Sequence, residues 1–297
     1  MMSSNSAFIT VDKEDVADCL KFAVEFVCPA YSKSGLDFGN SSIPRSDVDR
    51  IADCAVGKIG ELAFKKLCIS NGFNIDVDFI LNVGRHAIDF GQDVEAVEVD
   101  GEMKPLLPLV DIKTTKNYGS WLLLEEHKFW ASVVVLMTVE VPRNIESDLT
   151  PFNKKILCKF KGYAFFADFF DPTGKPWFDF YENSKLISPK AVTYMYESAI
   201  KKFGSITSKK QLLDVCGACM EKFGNDFFVK STKLKCPHQI GLPLSFLRKS
   251  NSDLQILIEL LRVTTIPHAA ISDSLKCAFI QWNKCVSQLD RRLEVRD

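Results

Sequence analysis

Apolar residues recur at three- and four-residue intervals through Val16, Leu20, Ala23, Val24 and Val27, which predicts an amphipathic helix from Asp12 to about Cys28. Pro29 stops it, because proline cannot continue a helix. Residues 31–45 are rich in Ser, Gly and Asn, show no period, and read as a loop. Ser46 then has the character of an N-cap, with Asp47 and Asp49 in the first turn where the helix dipole favours acids. The helix it starts is expected to reach about Ser70 and to stop at Asn71-Gly72. Val48, Ile51, Ala55, Ile59, Leu62 and Cys68 supply its apolar side. Gly57 and Gly60 cost helix stability, so they are expected where another backbone approaches closely.

After Gly72 the pattern turns to short β-favouring runs. Strands are expected over 75–81, over Val94–Val99 with a tight turn at Asp100-Gly101, and over 109–115. Ser120 can cap a short helix to about Trp130, and the β-branched run 133–141, closed by Pro142, predicts a buried strand. Residues 156–160 and 163–169 read as a hairpin turning near Lys161-Gly162. Ser188-Pro189 opens a helix to about Phe203, and further helical segments are expected near 208–223, 252–262 and 269–292. Residues 1–10 are expected to fray, and no internal repeat or low-complexity tract is visible.

At 297 residues, 46% hydrophobic and 25% charged, the chain has ample material for a core. The longest apolar stretch, Ala131–Val139, is broken by Ser132 and Thr138, too short for a membrane span. The first residues lack the basic-then-apolar pattern of a secretory signal. Ten cysteines without framework spacing are expected to be reduced, buried thiols of a cytoplasmic protein. Charge is split along the chain: residues 1–150 hold 14 Lys/Arg against 24 Asp/Glu, a balance of −10, and residues 151–297 a balance of +9. An acidic half that gathers metal and a basic half that meets a polyanion fit this split. Two mutually attracting surfaces within one molecule fit it equally.

The candidate chemistry begins at Val110-Asp111-Ile112-Lys113-Thr114-Thr115. Side chains alternate along a strand, so Asp111 and Lys113 share a face and Ile112 takes the other. A carboxylate and an ammonium on a mostly buried strand are costly unless something uses or neutralises them. A divalent ion held by Asp111, beside a water polarised by Lys113, would offset that cost. An ion pair at the strand edge is the plain alternative. Glu61, on the second helix, would by itself be an exposed partner of Lys58 or Lys65. Asp89, bracketed by Ile88 and Phe90, is the preferred upstream carboxylate, with Asp93 competing.

Taken in order, a helix with Glu61, a strand region with Asp89, a strand with Asp111-Ile112-Lys113, a helix and a hydrophobic strand resemble the PD-(D/E)XK, or restriction-endonuclease-like, nucleases. The resemblance covers roughly residues 46–142. It implies an α/β fold with a restriction-endonuclease-like core, helix–three strands–helix–strand, and a mixed central sheet flanked by helices. A nuclease core over 1–204 and a mainly helical DNA-contacting or dimerisation region over 205–297 are expected. The sequence departs from the family pattern in that Asp89 follows Ile88 rather than proline and stands far from Asp111.

By this resemblance Asp89, Asp111, the Ile112 carbonyl and Glu61 would hold Mg2+, with Mn2+ able to substitute, and Lys113 would orient the attacking water. The expected activity is hydrolysis of duplex DNA by a homodimeric, sequence-specific endonuclease of the type II restriction kind. A junction-resolving or repair nuclease, and a non-catalytic DNA-binding scaffold, are the alternatives. Lys116 and the segment Lys230, Lys233 and Lys235 are the candidate DNA contacts. No Gly-rich phosphate loop is seen, so no nucleotide cofactor is expected. Cys216, Cys219, Cys236 and His238 are zinc-like in type, but the first pair falls on an apolar helical face and zinc is not expected.

Overall fold

The computed structural model describes residues 8–27, 46–79, 93–106, 110–116, 121–125, 131, 133–142, 149–169, 179–180, 185–187, 190–191, 194, 197–198, 201–202, 218–219, 221–230 and 239–263. Within them the chain is mixed α/β. β1 (Phe8–Val11) leads into α1 (Lys13–Val27), α2 (Asp47–Ser70), β2 (Ile75–Val77), β3 (Val94–Val99) and β4 (Glu102–Pro105). β5 (Val110–Lys116), β6 (Trp121–Glu125), β7 (Val133–Val139) and β8 (Ile156–Phe165) follow. β9 (Asp179–Phe180), β10 (Lys185–Ile187), β11 (Phe228–Lys230), β12 (Gln239–Pro243) and α3 (Asn251–Val263) complete the order.

The sheet that carries the site runs β1-β8-β7-β5. β5 and β7 are parallel, with Asp111 beside Val134 and Lys113 beside Leu136, while β7–β8 and β8–β1 are antiparallel. Every residue of β7 is buried, as its unbroken apolar run requires of a strand covered on both faces. Alternation along β5 sends Val110, Ile112 and Thr114 to one face and Asp111, Lys113 and Thr115 to the other. The first face carries α2. Thr114 Oγ1 donates to Gly57 O at 3.3 Å, and a Cβ on Gly60 would stand 1.9 Å from that same hydroxyl oxygen. Gly60 is therefore the glycine that close approach demands, whereas Gly57 has open space where its Cβ would be.

α2 starts at its expected cap. Asp49 N donates to Ser46 Oγ at 3.2 Å, and Ser46 N donates to Asp49 Oδ2 at 2.9 Å, a reciprocal capping box. Gly72, at φ +72°, turns the chain away at the far end. α1 lies against α2 and buries Val16, Cys19, Phe22, Ala23 and Val27, leaving Val24 exposed. With α1 on one side and β5 on another, the buried set of α2 is wider than a single stripe and takes in Glu61. The Asp100-Gly101 turn forms as expected, both residues at positive φ, with Val99 opposite Glu102 across the β3–β4 hairpin.

Several expectations are corrected. Residues 8–10 do not fray: they form most of β1, with Phe8 opposite Lys159 and Ile9 opposite Cys158 on β8. The hairpin expected at Lys161-Gly162 is one continuous strand, β8, whose pairing with β7 slips between Leu136 and Met137. Gly162 has φ +134°, and a Cβ there would stand 2.6 Å from Arg248 O. The glycine thus marks a bulge and a close backbone contact, not a turn. The helix expected over 120–130 opens instead as strand β6, antiparallel to β12, with Trp121 opposite Pro243 and Glu125 opposite Gln239. Leu122 and Leu124 are buried and Leu123 less so, the period of two proper to a strand. Residues 126–130 lie outside the described residues.

In the carboxy-terminal part α3 covers the expected 252–262 helix, and the residues described between 190 and 202 are helical, as are those between 218 and 223. The 269–292 segment lies outside the described residues. β11 and β12 are strands in a stretch expected to be mainly helical. Arg248 also exchanges backbone hydrogen bonds with Tyr163 of β8 at 3.0 Å, and β12 and α3 pack against β6 and β3, so residues 239–263 are joined to the rest of the described chain. Among the described residues no helix is long and apolar enough to cross a membrane.

Candidate active site

An apolar lead brings β5 into the core, which leaves Asp111 only 3% exposed. Lys113, two residues on and facing the same way, reaches back so that Nζ stands 2.8 Å from Asp111 Oδ2. The ion pair of the plain reading is present. What sets it apart from an ordinary strand-edge pair is a second carboxyl beside it.

That carboxyl belongs to Asp93, the residue immediately before β3. Its backbone N donates to Val110 O at 2.8 Å, and its backbone O accepts from Asp78 N at 3.0 Å, so Asp93 stitches the β2–β3 hairpin to β5. Its side chain follows: Ile112 N donates to Asp93 Oδ2 at 2.5 Å, which brings the Asp93 carboxyl within hydrogen-bonding reach of Asp111. Burial, then the charges of Glu61 and Asp111, push Asp93 well above the ordinary carboxylate range, with Lys113 opposing. Two acids in hydrogen-bonding contact cannot both be charged cheaply unless a cation joins them. Asp89, the upstream carboxylate preferred from the sequence, lies outside the described residues; the structure brings Asp93 to Asp111. Its signal in the sequence is its place at the head of the alternating run Val94–Val99, nearer to Asp111 than Asp89 is.

Glu61 is contributed by α2 and is 7% exposed. Its Oε2 accepts from Lys58 Nζ at 2.8 Å. The pairing with Lys58 is therefore realised, but inside the protein rather than on a helix surface. Lys58 also donates to Asp78 O at 2.7 Å and lies over the rings of Phe22, at 4.9 Å, and Phe79, at 5.6 Å. Buried cation–π contacts of this kind contribute about 2 kcal/mol. Lys58 enters the sequence reading only as a surface partner, because three-residue spacing on a helix says nothing about which face is covered.

Burial pushes Glu61 up to about 7, against the charge and hydrogen bond of Lys58, with Asp78 and Asp111 adding to the rise. For Lys58 burial acts downward, but Glu61, by charge and hydrogen bond, and then Asp93 and Asp78 carry it above its ordinary value. Lys58 is the member that keeps its charge, since a carbonyl, a carboxylate and two ring faces surround it. Glu61 is the one that yields, with a single ammonium set against burial and two further acids.

This has a measurable consequence for the metal-free protein. Glu61 holds its proton in the fold up to about 7 but loses it near 4.5 when unfolded. Below that window both states are protonated; within it only the native state is, so stability falls as pH rises through it. The drop is about 3 kcal/mol for a shift of this size, and Asp93 acts in the same direction. Urea unfolding in EDTA at pH 5 and pH 8 should show it, and Glu61→Gln should remove most of it. A stability that is flat or rises over this range in the unsubstituted protein would contradict the assignment.

Among the described residues no three carboxylate, thiol or imidazole groups stand together at ligand distance, because Glu61 is turned to Lys58 while Asp93 and Asp111 face each other. The donor set nevertheless suits Mg2+, which takes one or two carboxylates and retains water in the remaining positions. The Ile112 carbonyl is the further oxygen donor of this segment.

The other sequence-derived site residues are scattered. Lys116, a candidate DNA contact, is paired with Asp53 of α2 at 3.4 Å. Lys230 ends β11, while Lys233 and Lys235 lie outside the described residues. Cys219 is buried and its thiol donates to Ala191 O at 3.4 Å, as a core cysteine does; Cys216, Cys236 and His238 lie outside the described residues. No protein-family model matches this chain, and no match to it is found among curated proteins or solved structures.

Proposed function

We propose that this protein is a Mg2+-dependent endonuclease that hydrolyses phosphodiester bonds of duplex DNA on a restriction-endonuclease-like core. The observation that carries the reading is the contact of the Asp93 and Asp111 carboxyls beside the Lys113 ammonium. The order of parts supports it: α2 with Glu61, the antiparallel β2–β3 pair, Asp93 joining β3 to β5, and β7 parallel to β5. The crossover from β5 to β7 departs from the family in carrying strand β6.

In this reading Asp93 and Asp111 hold the ion, with the Ile112 carbonyl, and Glu61 acts from the second layer. A divalent ion bound there supplies positive charge at the scissile phosphate and acidifies water. The chain's own residues do the rest. Lys113 hydrogen-bonds the attacking water, favours loss of its proton and adds positive charge where the phosphorane-like transition state gathers negative charge. The water oxygen bonds to phosphorus, the bond to the leaving oxygen breaks, and that oxygen takes up a proton. Backbone pinning of Asp93 by Val110, Asp78 and Ile112 keeps its carboxyl in place while this happens. Phosphate contacts away from the reaction fall to the basic half, with Lys230, Lys233 and Lys235 as its densest segment. A homodimer cutting both strands at a defined sequence completes the proposal.

Incubation with mixed plasmid DNA and with four-way junctions, in Mg2+ and in EDTA, tests it. Discrete plasmid fragments in Mg2+ alone are the expected result. Cleavage confined to junctions would make the protein a resolving nuclease. Binding without cleavage of either substrate would make it a scaffold.

A further inference from the structure

The geometry points to Lys58 as a positioning residue that holds Glu61 away from direct contact with the metal, so that the site takes a single divalent ion on Asp93 and Asp111. This rests on the nuclease reading and refines it.

Lys58 is held from every side. Its Nζ is 2.8 Å from Glu61 Oε2 and 2.7 Å from the Asp78 carbonyl oxygen. Its ammonium lies over the rings of Phe22, from α1, and Phe79, which themselves meet edge to face at 5.8 Å. Only 13% of its side chain and 9% of that of Glu61 are exposed. Leaving Glu61 would strip the ammonium of a hydrogen-bond acceptor at 2.8 Å within an enclosed site, a loss that burial makes costly. The two residues are also one turn apart on the same helix, so backbone movement does not separate them. An oxygen already held by a fixed ammonium is not free for inner-sphere coordination. The ammonium's charge beside Asp93 and Asp78 further disfavours a second cation on the Glu61 side. Glu61 then meets the ion through water, as an outer-shell carboxylate does. α1, which lies ahead of the segment resembling the nuclease family, gains a role in this way: its Phe22 braces the lysine that sets the metal count.

Mn2+ binding, followed by the electron paramagnetic resonance of the free ion, tests this without relying on cleavage. The unsubstituted protein is expected to bind one Mn2+, and Asp111→Asn to weaken binding by about tenfold or more. Lys58→Met, which keeps the length and apolar stem, should release Glu61 to the metal: Mn2+ binds about tenfold tighter, or a second ion enters. Lys58→Met/Glu61→Gln should lose that gain and bind one ion, no tighter than the unsubstituted protein does. Unchanged or weaker binding by folded Lys58→Met, with Asp111→Asn still impaired, would overturn the role of Lys58 and leave the nuclease reading standing. Absence of Mn2+ binding by the unsubstituted protein at millimolar concentration would overturn both. If Lys58→Met does not fold, the number of waters on bound Mn2+, read from line broadening in 17O-enriched water, decides: the same number in Glu61→Ala as in the unsubstituted protein supports an outer-shell Glu61, and one water more refutes it, because only the loss of a direct ligand opens a coordination position.

Discussion

Asp93→Asn, Asp111→Asn and Lys113→Ala should each lower plasmid cleavage by about a hundredfold or more, while the folded structure and DNA binding in Ca2+ persist. The two aspartates stand within hydrogen-bonding reach of each other, so either asparagine would remove half of the charge proposed to gather the ion. Asp93→Asn keeps an oxygen for the Ile112 N–H, and Asp111→Asn keeps the shape of a side chain buried beside Lys113. Neither substitution opens a cavity, which separates catalysis from folding. Lys113→Ala acts on the water rather than the ion, so metal affinity should survive and turnover should not. Because the three residues work together in the proposed reaction, combining the substitutions should cost little more than the worst single change. Full turnover by Asp93→Asn together with a dead Asp89→Ala would return the upstream role to Asp89.

The second large effect is structural. Gly60→Val should leave the protein largely unfolded at 37 °C, and Gly60→Ala should destabilise it by several kcal/mol. A Cβ at Gly60 would meet Thr114 Oγ1 at 1.9 Å, Cγ2 at 2.8 Å and Cβ at 2.9 Å, so α2 and β5 must separate. That separation also carries Glu61 away from Asp111. Thr114→Ala in the Gly60→Ala background should recover part of the loss, since two of the three clashing atoms go. Gly57→Ala makes the contrast. Its Cβ enters open space in the middle of a helix, so it should stabilise by about 0.5–1 kcal/mol. Thermal melts of the variants decide the matter, and an ordinary melting temperature for Gly60→Ala would show that the helix–strand contact has slack the geometry does not suggest.

The parts of this protein legible from sequence are those whose signal is local. Ser46 and Asp49 cap α2 through each other, and Asp100-Gly101 turns the β3–β4 hairpin, because both need only neighbouring residues. The paired placement of Asp111 and Lys113 follows from alternation alone. What sequence hides is set by distant partners. Gly162 looks like a turn until Arg248 is seen against it, and Trp121–Glu125 looks helical until β12 pairs with it. Phe8 looks frayed until Lys159 stands opposite. The same holds at the site. The choice of Asp93 depends on Val110 and Ile112 pinning it across strands, and the burial of Lys58 depends on α1. Neither pattern has a period.

The most direct measurement is anomalous diffraction from crystals of the protein soaked in Mn2+. One peak between the Asp93 and Asp111 carboxyls, with Lys113 beside it and Glu61 still on Lys58, is the expected result. Mn2+ seated on Asp89 and away from Asp93, or an Asp93–Asp111 contact that stays free of metal while Mn2+ supports cleavage, would contradict it.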